Sequence, residues 1–115
     1  MTRGEFITSV IGFLGLSILP KSVPVTHYQR IYLLQDFIRG FQYYEGKNYL
    51  DNFYISQLLE LKRENTNTFD SFAIAIYHGS LKIGYLPREN NEIIAKIIDA
   101  DLLDFSVEIV DINKE

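Results

Sequence analysis

Runs of apolar, strand-forming residues recur along the chain and are separated by polar and turn-forming stretches. The clearest example is the stretch Leu61–Arg88, in which two runs of strand-forming residues, Phe72–Tyr77 and Leu81–Leu86, flank turn residues at 78–80. This arrangement predicts a β-hairpin. A loop rich in Asn, Thr and Asp, Glu64–Asp70, precedes it. Such side chains bond to nearby backbone groups, so we expect this loop to have a fixed shape.

Three further segments have strand character. They are Arg30–Ile38, which leads to a bend or bulge at Gly40, then Ile55–Arg63, with Leu59 and Leu61 on one face, and finally Phe105–Ile112. The polar segment Lys47–Phe53 is interpreted as a connecting loop.

One helix is predicted after the hairpin. It begins at Pro87–Glu89 and ends near Asp99–Ala100, with four isoleucines on its apolar face, namely Ile93, Ile94, Ile97 and Ile98. The elements together predict a mainly β fold with some α (β+α). It is a small, closed or nearly closed β-barrel of about five to six strands with one or two short helices.

The N-terminal residues 1–22 form a different kind of segment. Phe6–Leu19 carries no charge, is shorter than the ~20 residues of a bilayer span, and has the length of a signal-peptide core. We interpret 1–22 as an apolar leader, signal-like or associated with a membrane through residues 6–19. The stretch 23–29 is then a linker, and 30–115 the domain. The alternative is an apolar segment that packs on the domain or lies as a surface helix. A retained, packed leader implies a cytoplasmic protein, and a decayed signal implies an exported or membrane-associated one.

Composition narrows the chemistry. The 115 residues suit one domain, and the 47% of hydrophobic residues suffice for a packed core. The absence of cysteine excludes disulfides, thiolate zinc sites and cysteine nucleophiles, and the two histidines, His27 and His78, lie far apart in sequence. We find no motif of an enzyme, so we predict no catalysis, no cofactor and no metal. The net charge of -4 disfavours broad electrostatic binding to nucleic acid but is compatible with a small local site.

Two blocks of sequence carry a resemblance to a known family. They read LKRENTNTFDSFAIAIY…KIGYLPRE, from Leu61, and GFQYYEG, at Gly40–Gly46. Taken together, with the Gly40–Gly46 block upstream of the other, they resemble the HIRAN domain over roughly Arg30 to Ile112. HIRAN domains are OB-like β-barrels with short helices attached, and some members capture the 3′ end of single-stranded DNA. The resemblance therefore implies a nucleic-acid-binding module for single-stranded DNA, with its 3′-hydroxyl end as the finer expectation.

The resemblance also implies roles for individual residues. Tyr43 and Tyr44 would stack on the terminal bases, a contact worth ~1–3 kcal/mol per base. Asp70 would accept a hydrogen bond from the 3′-hydroxyl group, Asn67 would bond to a sugar or base edge, and Phe69 would pack against the terminal nucleotide.

Arg88 would pair with a backbone phosphate. Three positions depart from the family pattern. Gln42 stands where end-binding eukaryotic members tend to carry arginine, Phe69 stands where tyrosine is common, and Tyr85 replaces a histidine seen in some members. The first two departures remove a phosphate contact and a hydroxyl group.

The residues alone leave structural roles open. One of the paired tyrosines could be a core aromatic, Asp70 could close an Asx-type turn, Asn67 could be a turn residue, and Arg88 could pair with a neighbouring glutamate. At the level of function, the alternative is a protein-interaction or envelope-associated domain that keeps this fold without binding DNA.

Overall fold

The computed structural model describes residues 13–20, 31–101 and 103–112. Within these ranges the chain forms six β-strands, two 3-10 helices and one α-helix. The strands are β1 (Phe13–Pro20), β2 (Ile31–Phe37), β3 (Leu58–Arg63), β4 (Ile74–His78), β5 (Leu81–Tyr85) and β6 (Leu103–Ile109). The α-helix α1 is Arg88–Ala100, and the two 3-10 helices are Phe41–Tyr43 and Glu45–Asn52.

The six strands form one sheet in the order β2-β1-β6-β3-β4-β5, in which each neighbouring pair is antiparallel. The two ends of this sheet meet just beyond β2, where Arg39 and Tyr85 exchange backbone hydrogen bonds of 2.8 and 2.9 Å. The sheet therefore curls into a small barrel-like structure, which confirms the predicted mainly β, OB-like fold with short helices.

The core consists of the inward-facing residues of the strands and one face of α1. On β3 the buried Leu59 follows the exposed Leu58, and on β4 Ile74 and Ile76 are fully buried. Each such apolar side chain stabilises the fold by roughly 1.5–3 kcal/mol. This alternation is the reason that the strand pattern can be recognised in the sequence.

Helix α1 begins and ends where predicted, but its buried face differs from the prediction. It buries Asn91, Ile94 and Ala95, whereas Ile93 is 71% exposed. Asn91, Ile94 and Ala95 stand at positions i, i+3 and i+4 and share one face, whereas at 100° per residue Ile93 lies about 200° from both Asn91 and Ala95 and points away from the core.

The hairpin is confirmed, with Gly79 and Ser80 as the turn between β4 and β5. The loop predicted at Lys47–Phe53 is wrong, because most of it belongs to the 3-10 helix Glu45–Asn52. This segment can lie on the core because Gly46 has no side chain. A Cβ there would be 2.8 Å from Phe41 Cε1 and 2.9 Å from Ile83 Cγ2.

Part of the predicted leader lies inside the fold. Strand β1 is hydrogen-bonded between β2 and β6, and Leu14 and Leu16 are fully buried. The predicted domain, 30–115, does not include this strand. Residues 1–12 and the predicted linker at 23–29 lie outside the described residues, so the signal, export and membrane interpretations stay predictions. Over the ranges described, no helix has both the length and the apolar character needed to cross a membrane.

Candidate functional site

The polar loop Glu64–Asp70 is held by its own side chains. The Asn67 carboxamide oxygen accepts hydrogen bonds from the backbone N–H groups of Phe69 (2.9 Å) and Asp70 (3.1 Å), while its Nδ2 donates to Glu64 Oε1 (3.1 Å). The backbone N–H of Asn67 also donates to the carbonyl oxygen of Glu64 at 3.0 Å. Asn67 is therefore a turn residue that fixes the shape of the loop.

Asp70 anchors the end of this loop to α1. Its Oδ1 accepts a hydrogen bond from the Phe72 N–H (2.9 Å), and its Oδ2 accepts one from Asn91 Nδ2 (2.8 Å) and lies 3.5 Å from Arg88 Nε. The side chain is only 10% exposed. Burial raises the pKa of Asp70, but the two hydrogen bonds and the charges of Arg88 and Arg39 outweigh it, so the pKa is lowered overall. The carboxylate is therefore ionised, and it already accepts hydrogen bonds that hold the end of the loop in place.

Phe69 is displayed to solvent by a fixed backbone. Arg88 Nη2 donates to the Phe69 carbonyl oxygen at 3.0 Å, while the aromatic ring of Phe69 is 88% exposed. The Arg88 side chain is itself more than half exposed. An exposed ring on an immobilised loop is unusual for a purely structural phenylalanine, which would gain from burial.

A second exposed ring lies on the first 3-10 helix. Gly40, at φ 78°, turns the chain out of the barrel, and this left-handed conformation favours glycine. Tyr43 follows and is 80% exposed, whereas Tyr44 is half-buried with its ring edge-on to Tyr85 at 6.0 Å between centroids. Gln42 is exposed and makes no hydrogen bond to any described residue. One tyrosine thus faces inward and one outward, although on a helical turn rather than on a strand.

A hydrogen-bonded trio joins the loop to β5. Lys82 Nζ donates to Glu64 Oε2 (2.6 Å) and to the Tyr85 hydroxyl oxygen (2.6 Å), and that hydroxyl group donates to Glu64 Oε1 (2.7 Å). Burial, assisted by the Glu64 carboxylate, raises the pKa of Tyr85 to about 12. Burial also raises the pKa of Glu64, but its bonds from Lys82, Tyr85 and Asn67 lower it overall. Glu64 and Lys82 were missed as site residues, although both lie within the sequence block that carries the resemblance.

Arg39 completes the site and was also missed from the sequence. Its guanidinium carbon lies 5.7 Å from the centroid of the Tyr85 ring, and its charge contributes to the lowered pKa of Asp70. Within the described part of the chain, the guanidinium group has no hydrogen-bonding partner. Arg39 therefore lies beside the Tyr85 ring and close enough to Asp70 for its charge to act on that carboxylate.

These contacts link most of the predicted residues into one surface. We call it the binding face, and define it as Arg39, Tyr43, Tyr44, Asn67, Phe69, Asp70, Tyr85 and Arg88. Of the predicted residues, Gln42 and Tyr43 lie together on the first 3-10 helix, and neither side chain is hydrogen-bonded to another described residue of this face. Over the described ranges, no group of three or more His, Asp or Glu side chains could hold a metal ion.

Comparison with protein-family models matches the HIRAN domain over residues 31–115. Neither curated proteins nor solved structures gave a match. The matched region includes every residue of the binding face and every strand except β1. The chain therefore belongs to the HIRAN domain family, a family of nucleic-acid-binding modules.

Proposed function

We propose that this domain binds single-stranded DNA on the binding face, prefers a free 3′-hydroxyl end, and has no catalytic activity of its own. The observation that carries the proposal is the pair of solvent-exposed rings, Tyr43 and Phe69, together with the charges of Arg39 and Arg88 that both act on Asp70. Exposed aromatic rings beside cations are the usual platform for unpaired bases, because every base has a face that can stack.

The charge of the site suits contact with a few nucleotides rather than with a long stretch of DNA. The chain has a formal charge of -4, so attraction to phosphates depends on local cations. Arg39 and Arg88 together suit about two phosphates, which predicts a salt dependence with a slope of roughly -1.4 for a single strand. A steeper slope would require cations outside the binding face.

The preference for a free 3′ end rests on Asp70. Its lowered pKa keeps the carboxylate charged near neutral pH, so a terminal 3′-phosphate would be repelled. A carboxylate offers about four acceptor positions, of which the bonds from Phe72 and Asn91 use two and the Arg88 guanidinium group, 3.5 Å away, occupies a third. The remaining capacity suits one further donor, such as a hydroxyl group.

Fluorescence anisotropy with short single-stranded oligonucleotides tests the proposal. Tyr43→Ala and Phe69→Ala should each weaken binding roughly ten- to hundred-fold, as expected for the loss of one stacked base. Tyr54→Ala is the matched control, because Tyr54 is also exposed but lies outside the binding face. An absence of binding below millimolar concentration, or an equal loss in the Tyr54 variant, would contradict the proposal.

The end preference needs its own comparison. Oligonucleotides that end in a 3′-hydroxyl should bind more tightly than those that end in a 3′-phosphate, and Asp70→Asn, which keeps the shape of the side chain, should remove the difference. Equal binding of the two oligonucleotides by the unmodified domain would refute the end preference while leaving single-strand binding intact.

A second candidate function, binding to a protein, is favoured by a separate apolar surface. Ile31, Tyr32 and Ile93 are exposed, and a cavity of about 510 Å³ lies between β2 and α1, lined in part by Leu33 and Ile97. A second copy of the chain is the partner that can be tested directly. Sedimentation velocity should show a dimer that Ile93→Glu abolishes, and a monomer at high concentration would contradict this function.

A further inference from the structure

A cavity of about 440 Å³ lies next to the binding face and is not needed for the contacts described above. Its walls come from three segments: the tyrosines of the first 3-10 helix, the second 3-10 helix, and the hairpin turn. The side chains that give it its chemistry are Tyr43, Tyr44, Lys47, Asn48, Ser80 and Lys82. Its volume is within the range of sites that hold small molecules, roughly 300–1,000 Å³.

The cavity adjoins the binding face and shares Tyr43 and Tyr44 with it. Tyr44 lines it and also contacts the Tyr85 ring edge-on, and Lys82 Nζ lies 5.5 Å from the Tyr44 ring centroid and 4.4 Å from that of Tyr85. Phe69, Asp70 and Arg88 do not line it. A strand whose 3′ end lies at Asp70 and whose bases stack on the binding face would therefore pass Tyr44 and enter the cavity on its 5′ side.

The lining groups suit a nucleotide. Aromatic rings can stack on a base, while the Asn48 amide and the Ser80 hydroxyl group can bond to a sugar or base edge. Of the two lysines, Lys82 is already paired with Glu64 at 2.6 Å. Lys47 is exposed and has no hydrogen-bonding or ion-pair partner among the residues the structure describes. Glu45 also lines this cavity, and its negative charge would repel a phosphate group. Lys47 is therefore the cation that would attract a phosphate group there.

We propose that this cavity is an additional subsite, which receives the next nucleotide on the 5′ side of those bound by the binding face. Lys47 contacts its phosphate, and Tyr44 separates it from the terminal nucleotides. This inference rests on the proposed function, because the cavity extends a strand that the binding face must first hold.

A length series of unlabelled thymidine oligonucleotides, from two to six nucleotides with free 3′ ends, tests the subsite by competition against a labelled strand. Affinity should rise about five-fold or more when the strand becomes long enough to enter the cavity, and should then level off. Lys47→Ala should remove this rise, leave the dinucleotide affinity unchanged, and reduce the salt slope of the longer strands by about 0.7. Lys96→Ala, an equal loss of charge at an exposed position of α1, is the matched control and should change neither quantity.

The outcomes separate the two proposals. If no oligonucleotide binds, the proposed function and the subsite both fail. If the dinucleotide binds but the length-dependent rise is absent, or if Lys47→Ala weakens the dinucleotide as much as the longer strands, the subsite alone is refuted.

Discussion

Replacing Glu64 with glutamine should destabilise the whole domain, because this one carboxylate joins the end of β3 to the polar loop and to β5. Its Oε1 accepts hydrogen bonds from the Tyr85 hydroxyl group (2.7 Å) and Asn67 Nδ2 (3.1 Å), and its Oε2 accepts one from Lys82 Nζ (2.6 Å). A glutamine at this position would turn an NH₂ group towards at least one of these donors.

The magnitude follows from the bonds that are lost. Hydrogen bonds to charged groups contribute about 1.5–3 kcal/mol each, whereas the Glu64 side chain is 26% exposed, which weakens its ion pair with Lys82 by solvent screening. We expect the free energy of unfolding to fall by about 2 kcal/mol, which corresponds to a decrease in Tm of roughly 10 °C for a domain of this size.

Urea denaturation at pH 7, followed by circular dichroism, measures the change. Glu60→Gln is the matched control: Glu60 is exposed on the same strand, and its replacement should cost less than about 0.5 kcal/mol. If the two variants have the same stability, the carboxylate does not hold these segments together and the reasoning is wrong.

The effect should also depend on pH. Burial raises the pKa of Glu64, but the bonds that it accepts lower it overall from the ordinary value of 4.5. A carboxyl group with a lowered pKa in the folded state stabilises the protein above its unfolded pKa, and this contribution is lost as the pH falls through the folded value. The stability difference between the unmodified domain and Glu64→Gln should therefore shrink below about pH 4. A difference that stays constant down to pH 3 would contradict the assignment.

Three further predictions follow from the point where the sheet closes. Gly84→Ala should lower the free energy of unfolding by about 3 kcal/mol and Gly79→Ala by only about 1 kcal/mol, because a Cβ at Gly84 (φ +153°) would lie 2.5 Å from Ile38 Cγ2, whereas nothing lies within 4 Å at Gly79; equal effects would refute this. Spectrophotometric titration should show a late phenolate step, absent in Tyr85→Phe, since the pKa of Tyr85 is raised to about 12. The stabilisation linked to this raised pKa is present below pH 10 and is lost as the pH rises through about 12. If Tyr85→Phe removed a step near pH 10 instead of the late one, the prediction would be contradicted. Arg39→Gln should leave Tm nearly unchanged and weaken binding of single-stranded DNA about five-fold, with a salt slope smaller by about 0.7; an unchanged affinity would exclude Arg39 from the site.

Runs of strand-forming residues predicted most of the sheet. Burial alternates on β3, whereas β4 buries Ile74, Ala75 and Ile76 in succession. Strand β1 escaped this reasoning. Its sequence, FLGLSILP, is a nearly continuous apolar run, which is equally typical of a leader and of a buried strand. The pairing of β1 with both β2 and β6 places residues 13–20 in the sheet, and such pairing partners cannot be read from a single sequence.

The candidate site, like the sheet, was predicted only in part from the sequence. The resemblance pointed to the correct segments, but the roles of Asn67 and Asp70 in the loop are those of the structural alternatives, and their roles towards DNA stay predictions. Arg39, Glu64 and Lys82 were missed because their importance depends on which residues lie opposite them in the folded barrel. Spacing along the chain gives no sign that Arg39 is next to Tyr85.

The backbone pairing of Arg39 with Tyr85 has a consequence for how the barrel is kept closed. These two residues come from opposite ends of the sheet order, so their pairing closes the barrel and its loss would open it. Arg39 and Tyr85 also belong to the binding face, so a chain with an open barrel has no complete site. A ligand that binds only the closed form, present at a concentration one hundred times its Kd, would then stabilise the closed barrel by about 2.7 kcal/mol. Hydrogen exchange at the Arg39 and Tyr85 amides would report occupancy of the site directly, as a slowing of local opening.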